Sequence, residues 1–121
     1  MQYDEKSIHQ FLEDNFGIWN AGDRDAFTEL YRNASANGLE IEYVGQDPVD
    51  GWAAFNHMWD TYNTEIHAEP QQILVNGNEG AVYVHNIVKK DGAVHPSIEI
   101  YRFVDGKLHI RYFHNTEALA D

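Results

Sequence analysis

Two segments of this 121-residue chain alternate acidic residues with apolar and aromatic ones in a way that bears on chemistry. In Ile98-Glu99-Ile100-Tyr101-Arg102-Phe103, a strand puts Glu99, Tyr101 and Phe103 on one face and Ile98, Ile100 and Arg102 on the other. A carboxyl that shares an aromatic face loses water, so its pKa rises toward the range where it can both give and take protons. The same pattern also permits the reverse, with Ile98 and Ile100 in the core and Glu99 in water. Leu39-Glu40-Ile41-Glu42-Tyr43-Val44 poses the same question for Glu42, and alternation alone does not choose the face. Seven histidines complete the set of titratable candidates. His67, His85 and His114 fall in strand-like runs, whereas His9, His57, His95 and His109 are peripheral or ambiguous. No His-x-x-x-His pair or other ligand spacing occurs and there is no cysteine, so the expected site uses no metal and no cofactor. Phosphate-loop, dinucleotide and Ser-His-Asp signatures do not occur either.

The elements that must position these residues follow from periodicity and punctuation. Ile8, Phe11, Leu12, Phe16 and Trp19 recur at helical spacing and predict a helix over Asp4 to Asn20. Gly22 ends it, and Asp23 caps a second helix over Arg24 to Asn33 that buries Phe27, Leu30 and Tyr31. A strand follows from Leu39 to Val44. Asp50 then caps a third helix carrying Trp52, Phe55, Trp59 and Tyr62. From Ile66 the period changes to two. Strands are predicted over Ile66–Asn76, Gly80–Lys89, His95–Val104 and Lys107–His114, with hairpin turns at Asp91-Gly92 and Asp105-Gly106. Thr116 to Asp121 reads as a short turn. Helices first and strands afterwards imply an α+β domain spanning residues 1–121, with a cavity between the layers as the default ligand site.

Charge narrows the function classes. Eight Lys+Arg against twenty Asp+Glu give a net charge of −12, and no basic stripe is present, so neither nucleic acid nor an anionic membrane is an expected partner. Met1 to Lys6 is polar and acidic, unlike a secretory signal, and a cytoplasmic location is expected.

Several motifs carry a resemblance. Asn20-Ala21-Gly22-Asp23 with Leu30, then Val44-Gly45 with Pro48 and Gly51, then Ile98 to Phe103 followed by Asp105-Gly106-Lys107, run through nearly the whole chain. This order resembles the nuclear transport factor 2-like superfamily, in its SnoaL-like and ketosteroid-isomerase-like branches. The resemblance implies three N-terminal helices on a strongly curved antiparallel sheet, a cone-shaped half-barrel closing around an internal pocket. It implies that Glu99 lies on the inner face as acid or oxyanion donor, as in ketosteroid isomerase, where a carboxyl is kept protonated for that purpose. It places Glu42 where the isomerases carry their proton-shuttling base, and His67 where some dehydratase-like members carry a histidine. Asn15 falls where the isomerases place a donor tyrosine. The aromatic residues Trp19, Tyr31, Trp59, Tyr101 and Phe103 are expected as core and pocket wall, suited to a flat apolar ligand.

The expected function is proton transfer, as isomerisation, cyclisation or elimination, on a small apolar carbonyl or polyketide-like molecule. The alternative is a non-catalytic ligand-binding or association domain, because this fold hosts both. With Glu99 facing inward, Ile98 and Ile100 form an outer apolar patch with Val82 and Val84 or with Tyr83 and Ile87, depending on register. A homodimer through the outer sheet face is the expected remedy.

Overall fold

The computed structural model describes residues 3–47 and 49–114. Pro48 and the predicted turn from Thr116 to Asp121 lie outside the described residues. Each helix begins at an aspartate whose side chain accepts a backbone N–H three residues on. Asp4 accepts from Ser7 for α1 (Glu5–Ala21), Asp23 from Ala26 for α2 (Arg24–Ala34), and Asp50 from Ala53 for α3 (Gly51–Tyr62). Such a cap satisfies one of the free donors of the first turn.

The strands are β1 (Gly38–Tyr43), β2 (Val49–Asp50), β3 (Ile66–Asn76), β4 (Glu79–Val88), β5 (Val94–Val104) and β6 (Lys107–His114). They form one sheet in the order β2-β1-β6-β5-β4-β3. The fold is α+β, with three corrections to the expected architecture. Strands β1 and β2 separate α2 from α3, so the helices are not one N-terminal block. β1 pairs with β6 in parallel, whereas every other pair is antiparallel. The sheet does not close, because β2 and β3 remain its two edges. The parallel pair has a packing reason: Leu39 opposite Leu108 and Ile41 opposite Ile110 put four buried side chains against the helices. The two-residue length of β2 leaves little free edge on that side.

Local sequence fixes how the layers meet. In the Asp105-Gly106 turn both residues have positive φ, 52° and 76°, the backbone of a type I′ hairpin. That turn sets the β5–β6 register, Val104 with Lys107 and hence Glu99 with Tyr112. A register shift between Pro70 and Gln72 marks a bulge in β3, a feature that bends a strand. Asn20 docks α1 on the same strand. Its amide donates to the Ala68 carbonyl at 2.7 Å and accepts from the Ala68 N–H at 2.9 Å. At Gly51, a Cβ would come within 1.9 Å of the Leu39 carbonyl oxygen, so α3 can begin against β1 only with glycine there.

The core is one cluster between the helices and the inner sheet face. Phe27 stacks on Phe55 with ring centroids 5.2 Å apart, and Phe11, Tyr31 and Trp59 pack around this pair. On the outer face Val82 and Val84 are absent, because both are buried inside. The exposed apolar positions of β3, β4 and β5 are Leu74, Tyr83, Val94 and Ile98, with Tyr83 directly opposite Ile98. No helix among the described residues is long and apolar enough to cross a membrane.

Candidate active site

Along β5, Ser97, Glu99, Tyr101 and Phe103 point inward and Ile98 points out, 48 % exposed. Glu99 therefore lies under the helices, only 8 % exposed. It borders a cavity of about 270 Å³ between the helical layer and the sheet. The walls are mainly apolar and aromatic, with contributions from Phe16 and Trp19 of α1, Phe27 of α2, Met58 of α3 and Ile66 of β3.

Two hydrogen-bonded chains converge on the Glu99 carboxyl. The Tyr101 hydroxyl donates to Oε1 at 2.7 Å, and the Ser97 hydroxyl donates to Oε2 at 3.3 Å. Behind Ser97, the Asn86 amide donates to Oγ at 2.9 Å. Behind Tyr101, the Asn15 amide donates to the phenol oxygen at 3.4 Å, and Tyr31 donates to the Asn15 carbonyl oxygen. Both carboxyl oxygens thus accept, an arrangement that supports the ionised form. Burial opposes it more strongly and pushes the Glu99 carboxyl up to about 7, with the Tyr101 and Ser97 hydrogen bonds pulling the other way. Tyr101 and Tyr112 are held well above the ordinary phenol range, first by desolvation and then by the Glu99 charge and neighbouring phenols. They stay neutral donors at any physiological pH.

The other sequence-predicted residues divide between the cavity and elsewhere. Asn15, Trp19, Tyr31 and Tyr101 line it. Trp59 sits behind the wall, its ring 5.3 Å from Trp19 and 5.1 Å from Phe27. Phe103 shares the inward face of Glu99 but lies further along β5, stacked on Tyr3 at 5.0 Å and bordering a separate recess. Glu42 is not brought to the cavity. Leu39 and Ile41 take the buried face of β1, so Glu42 faces the outer side, 3.4 Å from both His109 Nε2 and Arg111 Nε of β6. The same parity places His67 outside, because its neighbours Ile66 and Ala68 take the inner face. Its Nε2 lies 3.9 Å from Glu69. His85 is outside as well, beside the Tyr83 hydroxyl.

Ser97, Asn86 and Tyr112, which the alternation pattern does not single out, line the cavity, and of the seven histidines His95 and His114 line it as well. The signal for Tyr112 was present: counting outward from the Asp105-Gly106 turn sets it opposite Glu99. Ser97 has the same parity as Glu99. His114 lines the cavity, and its Nδ1 is buried without a hydrogen-bond partner among the described residues. No three His, Asp or Glu side chains among the described residues are placed to hold a metal ion.

Three helices on one face of an open, mostly antiparallel six-stranded sheet are the architecture of the nuclear transport factor 2-like class of α+β protein. Within it, the chain belongs to the SnoaL-like domain family, which matches residues 9–109. Among solved structures it is similar to SalBIII, an epoxide hydrolase/cyclase-like enzyme in pyran ring formation of the polyether salinomycin. The TM-score is 0.74 at 21 % identity, over 93 % of this chain and 94 % of that one. A de novo designed protein with a curved β-sheet is also similar, with TM-score 0.76 at 16 % identity over 95 % and 90 % of the two chains. So is a protein from Jannaschia sp. CCS1 assigned as a SnoaL-like polyketide cyclase, with TM-score 0.69 at 18 % identity over 93 % and 90 %. These likenesses carry the fold. No curated protein sequence matches the chain.

Proposed function

We propose that the protein is a cofactor-independent enzyme that moves a proton on a small apolar carbonyl compound, in an isomerisation, cyclisation or elimination. The observation that carries this reading is Glu99, a buried carboxyl beside an apolar cavity with its pKa raised to about 7. A group with that value is populated in both protonation states near neutrality, which is what a proton shuttle needs. The likeness to SalBIII, described as epoxide hydrolase/cyclase-like, and to a SnoaL-like polyketide cyclase supports the coarser reading of a cofactor-free cyclase or isomerase. The cavity volume, at the low end for ligand pockets, favours a compact one- or two-ring substrate.

In this reading Glu99 does the work of both acid and base. Its carboxylate takes a proton from the carbon alpha to the carbonyl. The C–H electrons move to the carbonyl oxygen as an enolate, and the carboxyl returns the proton at the same or a conjugated carbon. Glu42 takes no part, since it lies on the far side of the sheet. A second copy of the chain would cover the outer apolar stripe of Tyr83 and Ile98, giving a homodimer.

The test is deuterium exchange alpha to the carbonyl across a panel of cyclic and aromatic ketones. Glu99→Gln should lower exchange of any accepted ketone at least about 100-fold, the usual scale of a lost acid–base group. Glu42→Gln should leave it unchanged. A ketone that wild type and Glu99→Gln exchange equally well would remove Glu99 from the chemistry. One observation favours the non-catalytic alternative: among the described residues Glu99 is the sole carboxyl lining the cavity. Ketones that bind there without exchanging would support that alternative.

A further inference from the structure

We infer that Tyr112 is the hydrogen-bond donor that receives the substrate oxygen in this cavity, so that Glu99 and Tyr112 together form the reacting centre. The inference rests on the proton-transfer reading of Glu99 and goes beyond it by assigning the second group. Register supplies the first argument. Glu99 of β5 and Tyr112 of β6 are directly opposed, both side chains point inward, and both line the cavity. Directly opposed side chains start from Cβ atoms about 5 Å apart, which is the scale of one carbonyl group and its alpha carbon with their contacts.

Hydrogen-bond accounting supplies the second argument. The cavity holds several phenols, and their protons are not equally available. Tyr31 gives its proton to Asn15, and Tyr101 gives its proton to Glu99 at 2.7 Å. The Tyr112 hydroxyl lies near both of their phenol oxygens. The one hydrogen bond it makes at bonding geometry among the described residues is to the Met58 sulfur, at 3.8 Å. A thioether is a weak acceptor, so the bond is given up at little cost when a carbonyl or enolate oxygen arrives. Tyr112 is 8 % exposed, and a donor held in so dry a place is worth more to a developing oxyanion than the same donor in water. Asn15, where the isomerase-like resemblance calls for a donor tyrosine, is already engaged with Tyr31 and Tyr101 on both its amide atoms.

In the step this defines, Glu99 takes the alpha proton, the electron pair moves to oxygen, and Tyr112 keeps its proton while donating a hydrogen bond to that oxygen. The ligand class follows: an apolar ring compound whose carbonyl or hydroxyl oxygen reaches the seam between β5 and β6.

Tyr112→Phe removes the hydroxyl and keeps the ring, and two probes separate a lost hydrogen bond from lost packing. These are 2-naphthol, which carries an oxygen, and naphthalene, which does not. Both are titrated into wild type and variant by fluorescence. The expected result is an approximately tenfold weaker affinity of Tyr112→Phe for 2-naphthol, with naphthalene affinity unchanged. Equal loss of both probes overturns the inference by making Tyr112 a packing residue. Unchanged affinity for both overturns it as well. If either of those results comes with exchange that still depends on Glu99, the proton-transfer reading stands and only the Tyr112 assignment falls. If wild type binds neither probe and Glu99→Gln exchanges ketones as well as wild type, both fall together. Circular dichroism of the variant checks that it is folded.

Discussion

The Glu99→Gln variant measures the desolvation of Glu99 without requiring a substrate. Burial takes the carboxylate out of water, and the two hydroxyl donors offset part of that cost, leaving the carboxyl at about 7 against an ordinary 4.5. That rise corresponds to about 3 kcal/mol between the two protonation states. Because the folded value is the higher one, the contribution of the neutral carboxyl to stability is complete below about pH 4.5. It is lost as pH rises through about 7. Glutamine fills nearly the same space and does not titrate. The stability of wild type minus that of Glu99→Gln should therefore fall by about 3 kcal/mol between about pH 4.5 and pH 8, while groups unaffected by the substitution cancel in the difference. Urea unfolding at fixed ionic strength, followed by tryptophan fluorescence, reads this directly. An effect of about 3 kcal/mol is a large share of a typical 5–15 kcal/mol domain stability and well above the uncertainty of extrapolation. A difference that stays flat with pH would show that water solvates Glu99 in solution, and the desolvation argument would be refuted. A difference that grows with pH would mean that the Tyr101 and Ser97 hydrogen bonds outweigh burial.

Two further outcomes are expected. Sedimentation at micromolar concentration should give twice the 13.9 kDa chain mass, and Ile98→Asp should reduce it to the monomer value; a wild-type monomer would remove the outer-face dimer. Gly51→Ala should destabilise the protein by at least about 2 kcal/mol in urea, because the new Cβ would lie 1.9 Å from the Leu39 carbonyl oxygen and α3 would have to leave β1; a change under about 0.5 kcal/mol would show that this contact relaxes freely.

Much of the fold is legible in the amino-acid order. The aspartate caps at Asp23 and Asp50, the helical spacing of Ile8 to Trp19 and of Trp52 to Tyr62, and the Asp-Gly hairpins place every long element within a few residues of where the structure has it. These features are local: a cap, a turn or a helical face is decided by side chains within four residues of one another, so a single sequence carries the information. The β5–β6 register belongs with them, since a two-residue turn determines every pair that follows it. What the order of residues leaves undecided is which face of a strand meets the helices. Glu42 and Glu99 sit in segments of the same alternating kind, yet Glu99 goes in and Glu42 goes out. In β5 the inward row is Ser97, Glu99, Tyr101 and Phe103, and Ile98 is left exposed; in β1 the inward row is Leu39 and Ile41. Alternation supplies two faces of a strand and no label for either, and the label comes only when the sheet is laid against its helices. The parallel pairing of β1 with β6 aligns Leu39 with Leu108 and Ile41 with Ile110, and it is that long-range contact which sends Glu42 to His109 and Arg111 on the far side of the sheet and leaves Glu99 facing Tyr112 in the cavity.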